Sequence, residues 1–342
     1  MTQICPFFGL CGGCKHQNLT PTEYRQLKIN FVQNILKNNK IEHEIEDFIE
    51  IPAHTRRRIT LALENGVVGF NAHHSHQIIP VDKCPILTPE LEKLLPELQK
   101  ISKTIQGVGD LAVLMTELGA DITVKTKTQK MNKFRKKSSK KQTEDIDFLE
   151  IITQFCQQNK IARFIFNEEI LYQICQLDFP ANVFMQPSIE GEKTLVDLVL
   201  KGCEKSQHVL DLFCGLGTFT KPLANAGKKV LGIDITEPSI LSLQKQNISA
   251  RVQDLFRNPV LSKELNLFDT VVMDPARAGA KAQTEQLANS DVKKIIMVSC
   301  NPITFARDCK ILLDAGYKIQ KLVLVDQFTY SDHIEIVAYL EK

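Results

Sequence analysis

Four cysteines, Cys5, Cys11, Cys14 and Cys84, lie towards the start of the chain, and a fifth, Cys300, lies far downstream in Val298-Ser299-Cys300-Asn301-Pro302. Ionised thiols bind metals or attack electrophiles, so spacing and setting decide which role each plays. Cys-x5-Cys-x2-Cys with one remote partner supplies four thiolates, which suit tetrahedral zinc or a cubane iron–sulfur cluster. Zinc sites more often pair two Cys-x2-Cys knuckles, and only one is present. That asymmetry favours the cluster. Cys300 ends an apolar strand, where a cysteine is ordinarily a small core residue. The rigid Asn301-Pro302 turn after it instead places the thiol at the rim where α/β sheets bind ligands. Glu335 opens the last apolar strand. If that strand is antiparallel to its neighbours, the carboxylate comes to the same rim as the thiol.

Between these groups, Asp211-Leu212-Phe213-Cys214-Gly215-Leu216-Gly217 closes a strand with a tight glycine turn. Gly215 belongs there because a side chain would block a ligand's approach to the backbone. A dinucleotide fingerprint wants a third glycine where Thr220 stands, which argues against NAD. Asp234 ends the next strand and can accept hydrogen bonds from a ribose. Asp254 and Asp274 follow later strands. Acids around an adenosine-like ligand, with no phosphate loop, suit S-adenosyl-L-methionine, whose sulfonium is cationic.

The elements that must hold these groups fall into two patterns. Thr20, Pro21 and Glu23 predict a helix start, and Tyr24, Leu27, Phe31 and Ile35 predict its buried face. Arg58–Leu63 and Val67–Phe70 flank Asn65-Gly66, a hairpin signature. Leu111–Met115 and Asp121–Val124 predict a second strand pair, followed by a helix over Phe148–Cys156 and a strand near Arg163–Phe166. This is an α+β order. From about Gln186, strands and helices alternate. Strands at Val209–Phe213, Val230–Ile233, Thr270–Met273 and Ile295–Val298 predict a parallel, doubly wound α/β sheet. Leu322–Val325 and Ile334–Leu340 are too closely joined for a crossover helix and should be antiparallel.

The expected division is a cluster segment over 1–20, a central α+β domain over 21–180 that also supplies Cys84, and the α/β domain over 181–342. A chain of 342 residues with 43% apolar content can build such cores. No apolar run approaches the roughly 18 residues of a membrane span, and no secretory signal opens the chain. Ten cysteines in a chain read as cytoplasmic point to metal binding or catalysis rather than disulfides. Net charge is only +2, but Lys125–Lys141 holds nine Lys/Arg and no acid. Such a run is a solvated loop or a phosphate-backbone contact. His73, His74 and His76 sit in loop-like sequence and are not read as a second metal site.

At these motifs the chain resembles the iron–sulfur branch of the RNA 5-methyluridine methyltransferases. The resemblance is carried by Cys5-x5-Cys11-Gly12-Gly13-Cys14 with Cys84, Asp274-Pro275-Ala276-Arg277-Ala278-Gly279, Ser299-Cys300-Asn301-Pro302 and His333-Ile334-Glu335. It implies a [4Fe-4S] cluster on Cys5, Cys11, Cys14 and Cys84, with Cys300 as nucleophile and Glu335 as base. It also implies cofactor or pocket roles for Gln186, Phe213, Thr218, Asp234, Asp254 and Asp274. Ser188 and Thr218 replace the asparagines usual at those positions. Only four residues precede Cys5, so the β-barrel RNA-binding domain of many relatives is expected to be missing. RNA grip would then fall to Arg56-Arg57-Arg58 and the basic stretch.

The implied function is methyl transfer to C5 of a uridine by a monomeric enzyme. Its partner is RNA, with 23S rRNA favoured and tRNA the alternative. A catalytically silent RNA-binding iron–sulfur protein is a second alternative. A DNA cytosine enzyme would carry Pro-Cys where Ser299-Cys300 stands.

Overall fold

The computed structural model describes residues 5–127, 148–175, 177, 179–181 and 183–342. The chain forms two compact units, one of residues 1–18 and Ala53–Gln176, the other of Leu19–Pro52 and Leu177–Lys342.

The second unit begins with α1 (Pro21–Asn38) and β1 (Asp47–Glu50). Thr20 caps α1 as predicted. Its hydroxyl accepts from the Glu23 N–H, while Glu23 accepts from the Thr20 N–H at 2.9 Å. The buried face is not the predicted one. It runs through Tyr24, Lys28, Val32 and Leu36, leaving Leu27 39% and Phe31 43% exposed. A lysine in the i, i+4 series disguised the stripe. Lys28 is buried because its ammonium pairs with Asp326 and donates to the His333 carbonyl at 2.7 Å, and the Tyr24 hydroxyl donates to Asp326 at 2.6 Å. Lys28→Met should therefore cost about 3–5 kcal/mol, since it leaves a buried carboxylate without its cation. Urea unfolding measures this directly.

The first unit carries β2 (Arg58–Glu64), β3 (Val67–Asn71), β4 (Ile78–Ile79), α2 (Pro89–Ser102), β5 (Val108–Thr116), β6 (Gly119–Thr126), α3 (Phe148–Gln158), β7 (Ile161–Phe166) and β8 (Glu169–Gln173). Its sheet runs β4-β3-β2-β5-β6-β7-β8. The Asn65-Gly66 hairpin forms with both residues at positive φ, 44° and 88°, as a primed turn demands. Leu91, Leu95 and Leu98 of α2 and Ile152 of α3 pack with Leu61, Leu111 and Ile122 of the sheet.

The second unit continues with α4 (Ile189–Gly202), β9 (His208–Leu212), α5 (Thr220–Asn225), β10 (Lys229–Asp234), α6 (Glu237–Lys245), β11 (Ala250–Val252), α7 (Ser262–Leu265), β12 (Thr270–Met273), α8 (Lys281–Ala288), β13 (Lys294–Ser299), α9 (Pro302–Asp314), β14 (Lys318–Asp326) and β15 (Glu335–Glu341). The sheet order is β1-β14-β15-β13-β12-β9-β10-β11. The predicted parallel strands pair in parallel, and β15 is antiparallel to both β14 and β13. Helices cover both faces: α9 contributes Phe305 and Leu312 to one core, and α4 contributes Leu195 and Val199 to the other. β1 pairs in parallel with β14, Phe48 opposite Leu324. Residues 21–52, expected in the central domain, thus belong with the α/β unit. Sequence alone could not assign so short an edge strand to a partner nearly 280 positions away.

Candidate active site

Strand register gathers the reactive groups at one rim. Met273 of β12 lies opposite Leu212 of β9, and Ile233 of β10 lies opposite the same residue. Phe213 and Asp274 follow these strand ends, and Asp234 closes β10, so the three lie at one level. Across the antiparallel pair, Ser299 faces Ile336. One step further, Cys300 comes level with Glu335.

Asn301 and Pro302 act as helix cap and first turn rather than as a free turn. The Asn301 carboxamide oxygen accepts from the Ile303 N–H at 3.1 Å, and Pro302 takes the N1 position of α9. The same carboxamide donates to the Arg277 carbonyl at 2.9 Å, which ties the 274–279 loop to the Cys300 strand end.

The electrostatics are those of a buried acid cluster. Burial pushes Glu335 well above the usual carboxylate range, and Asp274 pushes the same way. The Gln327 hydrogen bond and the Arg277 cation oppose them. Asp274 is also raised by burial. The half-buried Cys300 thiol is pushed up to about 11, first by burial, then by Glu335 and Asp274, against Arg277. One proton shared among these groups is cheaper than several adjacent anions.

On the cofactor side, Phe213, Gly215 and Gly217 all have positive φ, 63°, 52° and 84°. A Cβ at Gly215 would meet nothing within 4 Å, whereas one at Gly217 would lie 2.6 Å from Leu243. The turn is therefore closed beneath Gly217 and open above Gly215, a cradle that accepts a ligand against the backbone. Asp234 accepts from the Gly215 N–H at 3.1 Å and the Thr236 N–H at 2.7 Å. Asp254 caps its own loop through the Phe256 and Arg257 N–H groups. Phe213 tilts against Phe256, with centroids 5.4 Å apart. Thr218 lies half-buried in the same turn. Gln186 is buried, its side-chain oxygen accepting from Gln327.

Two buried side chains here were not singled out from sequence. Asp211 accepts from the Thr220 hydroxyl, its other oxygen has no hydrogen-bond partner among the described residues, and burial raises it to about 7. An aspartate inside an apolar strand was the available signal. Gln327 touches both Gln186 and Glu335, and nothing in its local sequence announced that.

In the first unit, Cys5, Cys11, Cys14 and Cys84 line one pocket of about 230 Å³. The Gly12 N–H donates to the Asn71 carbonyl at 2.8 Å, and a Cβ on Gly12 would lie 2.9 Å from that oxygen. The Cys-Gly-Gly-Cys turn thus lies flush on β3. The Cys84 N–H is held by Glu92 at 2.7 Å. Among the described residues no group of three or more His, Cys, Asp or Glu is arranged to hold a metal ion. Arg56 lines this pocket too, and its guanidinium donates to the Arg58 carbonyl at 3.0 Å. Arg56, Arg57 and Arg58 are all half-buried. Of the basic stretch, residues 128–141 lie outside the described residues.

A doubly wound sheet with this strand order and an inserted antiparallel strand defines an S-adenosylmethionine-dependent methyltransferase fold. Along 99% of this chain and 88% of the other, it matches the Pyrococcus abyssi tRNA (uracil-54, C5)-methyltransferase solved with S-adenosyl-L-homocysteine, at TM-score 0.71 and 23% identity. Residues 159–265 and 250–342 match the model of the tRNA (Uracil-5-)-methyltransferase family, and the chain belongs to that family. It is 34% identical, over 99% of its length and 84% of the other's, to an uncharacterized RNA methyltransferase of Brucella suis biovar 1. It is 27% identical, over 99% and 80%, to the 23S rRNA (uracil(1939)-C(5))-methyltransferase RlmD of Acinetobacter baumannii. The chain is thus an RNA (uracil-5) methyltransferase. Among the described residues, no helix is long and apolar enough to cross a membrane.

Proposed function

We propose that this enzyme methylates C5 of a uridine in 23S rRNA, with Cys300 as nucleophile and Glu335 as base. The observation that carries the reading is the register that brings Cys300 level with Glu335, at the same end of the sheet as the open Gly215 turn. C5 of uracil is a weak nucleophile. Addition of the Cys300 sulfur, as thiolate, to C6 forms the S–C6 bond and moves the ring's electron pair onto C5 and O4. S-adenosyl-L-methionine supplies an electrophilic methyl on a cationic sulfur. Once C5 carries the methyl, the Glu335 carboxylate removes the C5 proton, the C5=C6 bond reforms, and the S–C6 bond breaks to release the thiolate. The raised affinity of Glu335 for a proton suits a base working near neutral pH.

Gly215 and Asp234 are assigned to the cofactor together with Phe213, Thr218, Asp254 and Asp274. Gln186 is assigned to the pocket. The target base must leave its stack to reach a rim of this kind, so a loop or flipped uridine is the substrate form. The resemblance to RlmD favours rRNA over tRNA. Mapping 5-methyluridine by mass spectrometry in both RNA pools of a deletion strain should show loss at one 23S position and intact tRNA. Loss from tRNA alone would reassign the substrate.

Cys5, Cys11, Cys14 and Cys84 are assigned to a [4Fe-4S] cluster. That the four cysteines line one pocket supports a shared site, and the single Cys-x2-Cys knuckle with the family resemblance favours the cubane over zinc. No step of the reaction needs its electrons, so its role is structural or RNA-positioning.

A further inference from the structure

Gln327 follows β14 directly, and the reaction as written gives it nothing to do. Its side chain is buried. Its amide nitrogen donates to Gln186 Oε1 at 2.9 Å and to Glu335 Oε1 at 3.0 Å. An amide nitrogen carries two hydrogens, and both are committed. Its oxygen, by contrast, is buried with no hydrogen-bond partner among the described residues. Buried polar atoms are rarely left so, and those that are call for an explanation. Leucine or methionine would fill the space without orphaning an oxygen.

The strand end that presents Gln327 is held from behind. Asp326 takes the Tyr24 hydroxyl at 2.6 Å and the Lys28 ammonium. Lys28 also donates to the His333 carbonyl, two residues before Glu335. The Tyr24 hydroxyl in turn accepts from the Tyr330 N–H at 2.8 Å. Both ends of the 327–334 segment are thereby pinned to α1.

We propose that Gln327 is the positioning residue for the base: its two N–H groups lock the Glu335 carboxylate and the Gln186 amide into one rigid array, with α1 holding the array in register. This rests on the reading of Glu335 as base. Glu335 also faces Asp274 and Arg277 from the loop after β12, and Cys300 after β13. Burial and Asp274 favour its protonated form, while Gln327 and Arg277 favour the carboxylate. Gln327 is the only neutral donor of the two, so it can be removed without changing the charge of the site.

The test is Gln327→Met in the full-length protein, with Glu335→Gln alongside. Expected for Gln327→Met is a fall in kcat of about 10²-fold, the scale of a base displaced by about 1 Å, with the RNA KM and cofactor affinity nearly unchanged. The acid limb of kcat against pH should move to higher pH, because a donor that favours the ionised carboxylate is gone. A methylated protein–RNA adduct should accumulate on denaturing gels, because elimination is the step that slows. Tyr24→Phe, which loosens Asp326 without touching the pocket, should shift the same limb in the same direction by less. It serves as the test if Gln327→Met does not fold. An unshifted limb without adduct in Gln327→Met, or an unshifted limb in Tyr24→Phe if that variant must serve, while Glu335→Gln still traps RNA, overturns the positioning role and leaves the base assignment standing. If Glu335→Gln is active and traps nothing, the base assignment itself falls, and this proposal with it.

Discussion

Cys300→Ala is expected to lose methyl transfer by about 10⁴-fold or more, the scale seen when a covalent nucleophile is removed, while binding the cofactor as before. In the proposed mechanism the thiol meets the uracil and not the methyl donor, so calorimetry with S-adenosyl-L-homocysteine should give an unchanged affinity. Glu335→Gln is expected to fail later. Its thiol can still add to C6 and C5 can still be methylated, but the C5 proton stays and elimination stalls. A protein–RNA adduct that survives denaturing gels should appear with Glu335→Gln and be absent with Cys300→Ala. RNA carrying 5-fluorouridine should trap the unmodified enzyme in the same way, since fluorine cannot leave as a proton does. Appreciable activity in Cys300→Ala, or no adduct in either trap, would move the nucleophile elsewhere. The acid limb of kcat/KM should lie above the ordinary carboxylate range, because burial raises Glu335 and the base must be ionised to act.

Loss of the proposed cluster is expected to be the second large effect. Protein purified without oxygen should carry about four iron and four sulfide per chain. Stoichiometric zinc without sulfide would replace the cubane by a single ion. Cys84→Ala removes the one assigned ligand that lies outside residues 5–14. It should release the metal and cost on the order of 5 kcal/mol in chemical unfolding, since metal binding at such a site is also folding energy. Cys175→Ala is the control. Cys175 is exposed and has no place in the pocket, so neither iron content nor stability should change.

Much of the site was legible because its signals are local. A glycine turn after an apolar strand needs only a few adjacent residues to be recognised, and Gly215 and Gly217 adopt the positive φ their type permits. The Asn65-Gly66 hairpin and the Thr20–Glu23 cap were readable for the same reason. The buried face of α1 differs from the expected one because it includes a lysine, Lys28, which an apolar pattern does not show. Its burial depends on Asp326, a carboxylate 298 positions away, and no window of sequence contains both.

The amino-acid sequence by itself determined the chemistry available here: a thiol and a carboxylate at strand ends, a glycine turn between acids, and four thiols at metal-ligand spacing. Their residue types and short-range spacing carry that information. Only the tertiary structure decided which of them share a rim. The β13–β15 register brings Cys300 level with Glu335, and the β1–β14 pairing draws residues 21–52 out of the central domain. Gln327 bridges two pocket residues 141 and 8 positions from it. Each of these facts depends on pairing between distant strands. Such pairing is settled by burial of whole faces and by satisfaction of every buried polar group at once, conditions that no local stretch of sequence can state.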